Sequence, residues 1–114
     1  MNASFDDDDD DLCFDETVAR DLIGKHVLVG ITVEDRHGEF RRQEEFHGTV
    51  VSADRTAGIT LALRGLRESE IRKLPPATNA FRPARPGIYR LRSSGEEVLD
   101  PDLTATWLLV ETDG

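Results

Sequence analysis

The sequence predicts a mainly β fold: a small barrel of about five to six strands that follows one short helix and a disordered acidic tail. Three observations lead to this prediction. Apolar residues alternate with polar ones in several segments between residues 26 and 111, which is the pattern of half-buried strands. Turn-forming residues separate these segments. A chain of 114 residues has room for one core, and short strands around one core favour a barrel.

Residues 1–14 are predicted to be the disordered tail. The six consecutive aspartates from Asp6 to Asp11 repel one another, and few apolar side chains lie near them. Residues 1–21 hold nine acidic residues and one basic residue, which accounts for −8 of the formal net charge of −9. A single domain is therefore expected at residues 15–114.

A short helix is predicted at about residues 15–23. Asp15 is suited to cap its N-terminus, and Val18 and Leu22 lie four residues apart on one face. Gly24 is typical of the position after a helix. We therefore expect one short helix ahead of the first strand.

The strands are predicted from alternation, and their ends from turn residues. His26–Asp35 alternates four β-branched residues with more polar neighbours. Gly48, in the middle of the next strand, indicates a bulge or a sharp bend. Pro75 and Pro76 must end a strand because neither can donate to a ladder. The other strands are predicted at residues 44–54, 59–65, 69–76 and 104–111, with turns at 35–38 and 54–58, a loop at 77–86 and a hairpin at 87–99 that turns at Ser94 and Gly95.

The apolar faces of these strands predict the core. Tyr89 and Trp107 are expected on neighbouring strands, where their rings would pair. The residues expected to be largely buried are Val27, Val29, Ile31, Val50, Ile59, Leu61, Leu63, Leu91, Trp107 and Leu109.

One stretch of the sequence follows the pattern of a known family. An aromatic residue, a glycine two positions later, an aspartate six positions after the glycine and an apolar-x-Leu strand occur in register, at Phe46, Gly48, Asp54, Ile59 and Leu61. This pattern resembles the first motif of Sm-like (Lsm) barrels, and the resemblance covers residues 15–65. It implies an SH3/Sm-like barrel.

The resemblance does not extend to the RNA-binding residues of that family. RNA-binding Sm proteins carry an asparagine four residues after the motif aspartate, which holds a base, and this chain has Gly58 there. Their second motif, an Ile-Arg-Gly type turn, has no counterpart in residues 69–76. The resemblance therefore implies the barrel and not the RNA site.

The sequence shows no pattern of a catalytic or metal centre. The aspartate run fails as an EF-hand loop, because Asp11 and Thr17 stand where glycine and glutamate are needed. His26, His37 and His47 are not at metal-ligand spacing from one another. We therefore expect neither an enzyme nor a bound cofactor or metal.

The expected compartment is the cytoplasm. Cys13 is the one cysteine and cannot form an internal disulfide. No apolar run approaches the roughly 20 residues that span a bilayer, and residues 1–12 lack the features of a secretory signal. We expect no contact with membranes.

Residues 64–92 form the candidate binding segment. They hold eight basic and two acidic residues, a net charge of +6. Aromatic residues lie among the arginines, a mixture that can stack on nucleic-acid bases or bind an acidic protein. Alternatively, the arginines only solvate a hairpin face and the aromatic residues belong to the core. The candidate contact residues are Phe81, Arg82, Arg85, Tyr89, Arg90 and Arg92.

The expected function is that of a non-catalytic protein-binding module, such as an inhibitor, an immunity protein that blocks a toxin, or a regulatory subunit. The acidic surface would steer it to a basic partner. The alternative is an Sm-like RNA-binding oligomer that uses residues 64–92, which the overall acidity disfavours. We expect a monomer or a small homo-oligomer. The aspartate run aids solubility, imitates nucleic-acid phosphates or acts as a mobile strap over the domain's own arginines.

Overall fold

The computed structural model describes residues 14–111 as a mainly β chain with one short helix, α1 (Glu16–Leu22). Two single-turn 3-10 helices also occur, at Gly65–Arg67 and Thr78–Ala80. The predicted tail lies outside the described residues except for Phe14. The strands are β1 (His26–Asp35), β2 (Phe40–Asp54), β3 (Gly58–Leu63), β4 (Ile71–Leu74), β5 (Phe81–Pro83), β6 (Ile88–Arg90), β7 (Glu97–Leu99) and β8 (Leu103–Glu111).

Six of these strands form one curled sheet in the order β4-β3-β2-β1-β8-β5, and β6 and β7 form a separate hairpin. The curled sheet is a half-barrel whose edges are β4 and β5. The prediction of a mainly β fold is confirmed, with more strands than expected. The predicted loop at residues 77–86 contains a strand instead, because Phe81–Pro83 pairs with β8.

The helix begins and ends where the sequence predicts. The Asp15 side chain accepts hydrogen bonds from the N–H groups of Thr17 and Val18, and Gly24 has a φ of +89°, a conformation that glycine adopts at low cost. The buried face differs from the predicted one. Leu22 is buried together with Ala19, whereas Val18 is 40% exposed.

Close approach between β2 and β3 explains Gly48. A Cβ atom at this position would lie 2.5 Å from the carbonyl oxygen of Ala62, so no other residue fits without a shift of the backbone. The register irregularity in this pair lies a little further along, between Val50 and Ser52. Gly48 therefore permits the tight crossing of the two strands, and the bulge follows it.

Aspartates hold the turns between β1 and β2 and between β2 and β3. Asp35 accepts hydrogen bonds from the N–H groups of His37 and Glu39. Asp54 accepts from those of Thr56 and Ala57. These contacts lower the pKa of both aspartates, because backbone donors stabilise the ionised carboxylate.

The last strand returns to the first. β8 lies beside β1 in parallel, with Val27 opposite Leu103 and Asp35 opposite Glu111. At the start of this contact the Asp102 carboxylate accepts a hydrogen bond from the His26 N–H group at 2.9 Å. A parallel pair requires a long connection, and residues 36–102 provide it.

The core follows the predicted faces of β1, β2 and β3. Eight of the ten residues expected to be buried are buried. Trp107 is half-buried against the core, and the prediction for Leu109 is wrong, since it is 44% exposed. The predicted pairing of Tyr89 with Trp107 is also wrong. Tyr89 lies opposite Val98 in the hairpin, and Trp107 contacts Phe81 edge-on, with ring centroids 5.7 Å apart.

Candidate functional site

The distal half of β8 has a neighbour on one side only. β5 pairs with β8 as far as Phe81 opposite Ala105. On the other side, β8 pairs with β1 from Leu103 to Glu111. Within the described part of the chain, residues 106–111 are therefore unpaired on the side of β8 opposite β1. We call these residues the open edge.

Alternate backbone groups of the open edge point away from the sheet. The Ala84 N–H group donates to the Asp102 carbonyl oxygen at 3.1 Å, and Pro83, which has no N–H group, lies opposite Leu103. From Thr104 onwards, the even-numbered residues of β8 therefore direct their backbone groups towards β5. The alternation continues past β5, and the N–H and C=O groups of Thr106, Leu108 and Val110 therefore face the open side. Such groups are a template for a further strand.

The side chains of the open edge are apolar and uncharged from Trp107 to Val110. Leu108 is 58% exposed and Val110 is 52% exposed. Phe40, which is 65% exposed, lies at the same end of the sheet, two strands from Val110 across Glu34. Leu108 and Val110, two exposed apolar side chains on one face of an unpaired strand, indicate an interaction site.

The opposite edge of the sheet is protected against such pairing. β4 carries Arg72 and Lys73, and Pro75 and Pro76 follow it. Charged residues and prolines are the usual means by which an edge strand avoids contact with another strand. The contrast between the two edges identifies β8 as the candidate docking strand.

The predicted contact residues lie on β5, on the hairpin and in the connection between them. Phe81 and Arg82 are on β5, where Phe81 packs against the core and Arg82 is exposed. Arg85 is exposed in the connection to the hairpin, and its carbonyl oxygen accepts a hydrogen bond from the Tyr89 hydroxyl at 2.7 Å. Phe81 and Tyr89 are both half-buried, so neither presents a fully open ring face.

The other two predicted arginines lie on the hairpin. The Arg90 guanidinium forms an ion pair with Glu97 at 2.8 Å across β6 and β7. The Arg92 side chain is exposed, while its backbone N–H group donates to the Glu45 carboxylate of β2. That these six residues contact a partner stays a prediction.

Three residues far apart in the sequence form a hydrogen-bonded chain that the sequence did not reveal. His26 Nε2 lies 2.8 Å from His47 Nδ1, and His47 Nε2 lies 2.9 Å from Glu96 Oε2. The His47 and Glu96 side chains are only 8% and 15% exposed. Since the ionised Glu96 can only accept, His47 donates from Nε2 and accepts from His26 at Nδ1.

Gly65 makes this chain of contacts possible. A Cβ atom there would lie 1.6 Å from Glu96 Oε2 and 2.7 Å from His47 Nε2. The φ of Gly65 is +72°, which also favours glycine. The missing side chain thus leaves the space through which Glu96, from the hairpin, reaches His47 in the half-barrel.

The pKa of His26 is lowered. The main cause is partial burial of the imidazole, and the positive charge of Arg64 and the neighbouring His47 act in the same direction, while Asp102 opposes them. The neutral imidazole is therefore favoured in the folded protein.

A cleft of about 240 Å³ lies between β2 and the hairpin. His47 and Glu96 form part of its wall, and Arg64, Leu66 and Ser94 are also among its lining residues. The carboxylates along the cleft already accept hydrogen bonds from protein groups. Among residues 14–111, no group of three or more histidine, cysteine or acidic side chains is arranged to hold a metal ion.

Neither the open edge nor the contact between the two histidines has a clear signal in the sequence. The run Trp-Leu-Leu-Val at residues 107–110 is apolar on both faces, unlike the alternating strands before it, but such a run is typical of a strand that is covered on both faces. The contacts of His26 and His47 have no local sign, because 21 residues separate the two histidines. Their meeting depends on the register of β1 against β2.

Comparisons with other proteins identify no relative of this chain. The chain matches no family model, and no curated protein or solved structure shows significant similarity to it. In the described residues, no helix has the length and apolar character needed to cross a membrane.

Proposed function

We propose that this protein is a non-catalytic, cytoplasmic protein-binding module that docks an extended segment of its partner along the open edge. The observation that carries this proposal is the unpaired, apolar half of β8. Its outward N–H and C=O groups supply the main-chain contacts of strand addition, and its exposed side chains supply the apolar contacts. An inhibitor or a regulatory subunit would use such an edge without any catalytic group.

The energetics of the open edge support a protein strand as its ligand. Backbone groups on an exposed edge are hydrated, so pairing them with another backbone contributes only about 1 kcal/mol per hydrogen bond. Burial of Leu108 and Val110, each more than half exposed, adds about 25 cal/mol for each Å² of apolar surface removed from water. The partner segment is therefore expected to be extended and apolar.

RNA is the weaker candidate ligand. Gly58 has a φ of +94°, and a Cβ atom there would lie 2.4 Å from the Leu74 carbonyl oxygen. The position where RNA-binding Sm proteins carry asparagine is therefore one that the local backbone reserves for glycine.

We also propose that the half-barrel is of the SH3/Sm-like kind. Phe46 and Leu61 of the motif lie in the core, Gly48 lies at the tight crossing of β2 and β3, and Asp54 holds the turn between them. Each of these motif residues thus has a structural role. This supports a shared fold without a shared RNA site.

The experiment is affinity capture from a cell lysate with mass spectrometry, using the full chain and two single variants. Leu108→Lys places a charge on the open edge, and Ile71→Lys is its matched control, because Ile71 is a similarly exposed apolar residue (61%) on the protected edge. We expect a partner captured by wild type and Ile71→Lys and lost from Leu108→Lys. A partner retained by Leu108→Lys would contradict the proposal.

A further inference from the structure

We infer that the segment that covers the open edge is β8 of a second copy of this chain, antiparallel to the first about a two-fold axis at Leu109. This inference rests on the proposed function, because it names the partner of the same edge. Two-fold contacts bring one surface patch against itself. An antiparallel pair of identical strands is the simplest contact of this kind.

The backbone pattern limits the registers of such a pair. In an antiparallel ladder, hydrogen-bonded pairs join residues whose backbone groups face each other, here Thr106, Leu108 and Val110 of each copy. With the axis at Leu109, Leu108 of one copy lies opposite Val110 of the other, and symmetry repeats the pair. These two pairs supply about four hydrogen bonds.

The end of β5 excludes one of these registers. Phe81 occupies the side of β8 opposite Ala105, so an added strand cannot extend beyond Thr106. An axis at Leu108 would bring Glu111 of the second copy opposite Ala105, against Phe81. An axis at Leu109 places that Glu111 opposite Trp107, inside the open edge. Among the described residues, this register pairs the segment from Trp107 to Glu111, whereas an axis at Val110 would pair only Leu109 to Glu111.

The side chains on the core side of β8 support the same register. Leu109 continues the face that Ala105 and Trp107 direct towards the core, yet it is 44% exposed. At the two-fold axis, Leu109 of each copy would lie opposite its equivalent, as a non-hydrogen-bonded pair whose side chains are close. Burial against the second copy would complete the face that β5 leaves uncovered.

The charge pattern is compatible with self-pairing at short range. No charged residue lies between Leu103 and Val110, and Glu111, the charged residue at the end of the open edge, forms an ion pair with Arg42. The nearest acid on β1, Glu34, lies opposite Val110 and would be about 16 Å from its equivalent, because three strand spacings and an offset of two residues separate them. That distance exceeds the screening length of about 10 Å at 0.1 M salt. The net charge of −9 opposes association only at long range, so added salt should strengthen the dimer.

The test combines oligomeric state with cysteine trapping in the full chain. Sedimentation equilibrium should show a concentration-dependent dimer for wild type and Ile71→Lys, at least tenfold weaker in Leu108→Lys. In a Cys13→Ser background, Leu109→Cys should form an intermolecular disulfide on oxidation, because facing Cα atoms in a non-hydrogen-bonded pair are about 4.5 Å apart. Leu108→Cys should not, because its equivalents would be about 8 Å apart.

The outcomes separate this inference from the proposed function. A dimer that traps at Leu109→Cys and not at Leu108→Cys supports the second copy in the stated register. Trapping at Leu108→Cys alone, or a monomer at all concentrations, overturns the inference. A monomer whose captured lysate partner is lost in Leu108→Lys leaves the protein-binding function standing, whereas a monomer without such a partner contradicts both.

Discussion

The imidazole rings of His26 and His47 share one hydrogen bond, 2.8 Å long between Nε2 of the first and Nδ1 of the second. Such a bond exists only while one of the two facing nitrogens lacks a hydrogen. The pair can therefore carry one proton beyond its neutral state, on the outer nitrogen of His26, and a second proton would break the contact. Since His26 begins β1 and His47 lies in β2, the bond joins two central strands of the sheet.

Stability is expected to fall on mild acidification. The pKa of His26 is lowered in the folded protein, so the unfolded chain binds this proton more tightly. The contribution of His26 to the free energy of unfolding is therefore fully present above the unfolded pKa of about 6.5. It decreases as the pH falls from there to the folded pKa. Urea unfolding at several pH values between about 7.5 and 5.5 measures the slope.

The variant His26→Gln should flatten this slope, because glutamine does not titrate. His37→Gln is the control, since His37 lies exposed in the turn after β1, and it should leave the slope as in wild type. The carboxylates with lowered pKa, such as Asp54 and Glu44, contribute at lower pH, where stability is lost as they become protonated. An equal slope in wild type and His26→Gln would contradict the assignment.

The substitution Gly65→Ala is expected to disrupt the contact between Glu96 and His47. The added Cβ atom would meet both side chains, and buried polar groups that lose their partner cost about 1–3 kcal/mol each. Gly95→Ala is a matched control, because Gly95 has nearly the same φ, +76°, with nothing within 4 Å of the added atom. Denaturant unfolding should show Gly65→Ala to be less stable than Gly95→Ala by about 1–3 kcal/mol.

Leu61 is a fully buried residue of the core. Leu61→Ala should lower the free energy of unfolding by about 2–5 kcal/mol, as large-to-small changes in a core do. Leu66→Ala, at a residue that is 73% exposed, should change it by less than about 0.5 kcal/mol. Similar effects of the two variants in urea titrations would contradict the burial pattern of β3.

The acidic tail is expected to act as a mobile strap on the basic segment. The tail, residues 1–14, carries a charge of −6 and residues 64–92 a net charge of +6, and exposed ion pairs contribute only about 0–1 kcal/mol each. Removal of residues 1–13 should therefore shift the amide resonances of residues 80–92 at low salt and leave them unchanged at high salt. The truncation keeps Phe14, whose ring contacts the Arg55 guanidinium at 5.0 Å. Unchanged resonances at low salt would make the tail a solubiliser only.

The local part of the fold could be predicted from the sequence. The cap at Asp15, the strand His26–Asp35 and the turn at Asp54 depend on neighbours a few residues away, and all are present as expected. The hairpin at Ser94 and Gly95 is present for the same reason. Periodicity also identified the buried faces of β1 and β3, because a two-residue repeat fixes which side chains point inwards.

The missed features depend on long-range pairing. β5 was missed because three residues that include Pro83 carry no periodic signal, yet Pro83 fits because its position needs no N–H donor towards β8. Leu109 was expected in the core because it continues the inward face of β8, but burial also requires a neighbouring strand, and β5 ends before it. Because β5 ends early, the same part of β8 is also the candidate site. The wrong prediction for Leu109 therefore falls within that site.

The parallel contact between β1 and β8 has a consequence for biosynthesis. Val27, Val29 and Ile31 emerge early from the ribosome, but one flank of β1 has no backbone partner until residues 103–111 follow. Closing so long a loop carries a large entropic cost and slows folding. During translation at about 5–20 residues per second, the half-finished chain would expose an unpaired, valine-rich strand for several seconds. Nascent chains of this protein are therefore expected to need a ribosome-associated chaperone more than their small size suggests.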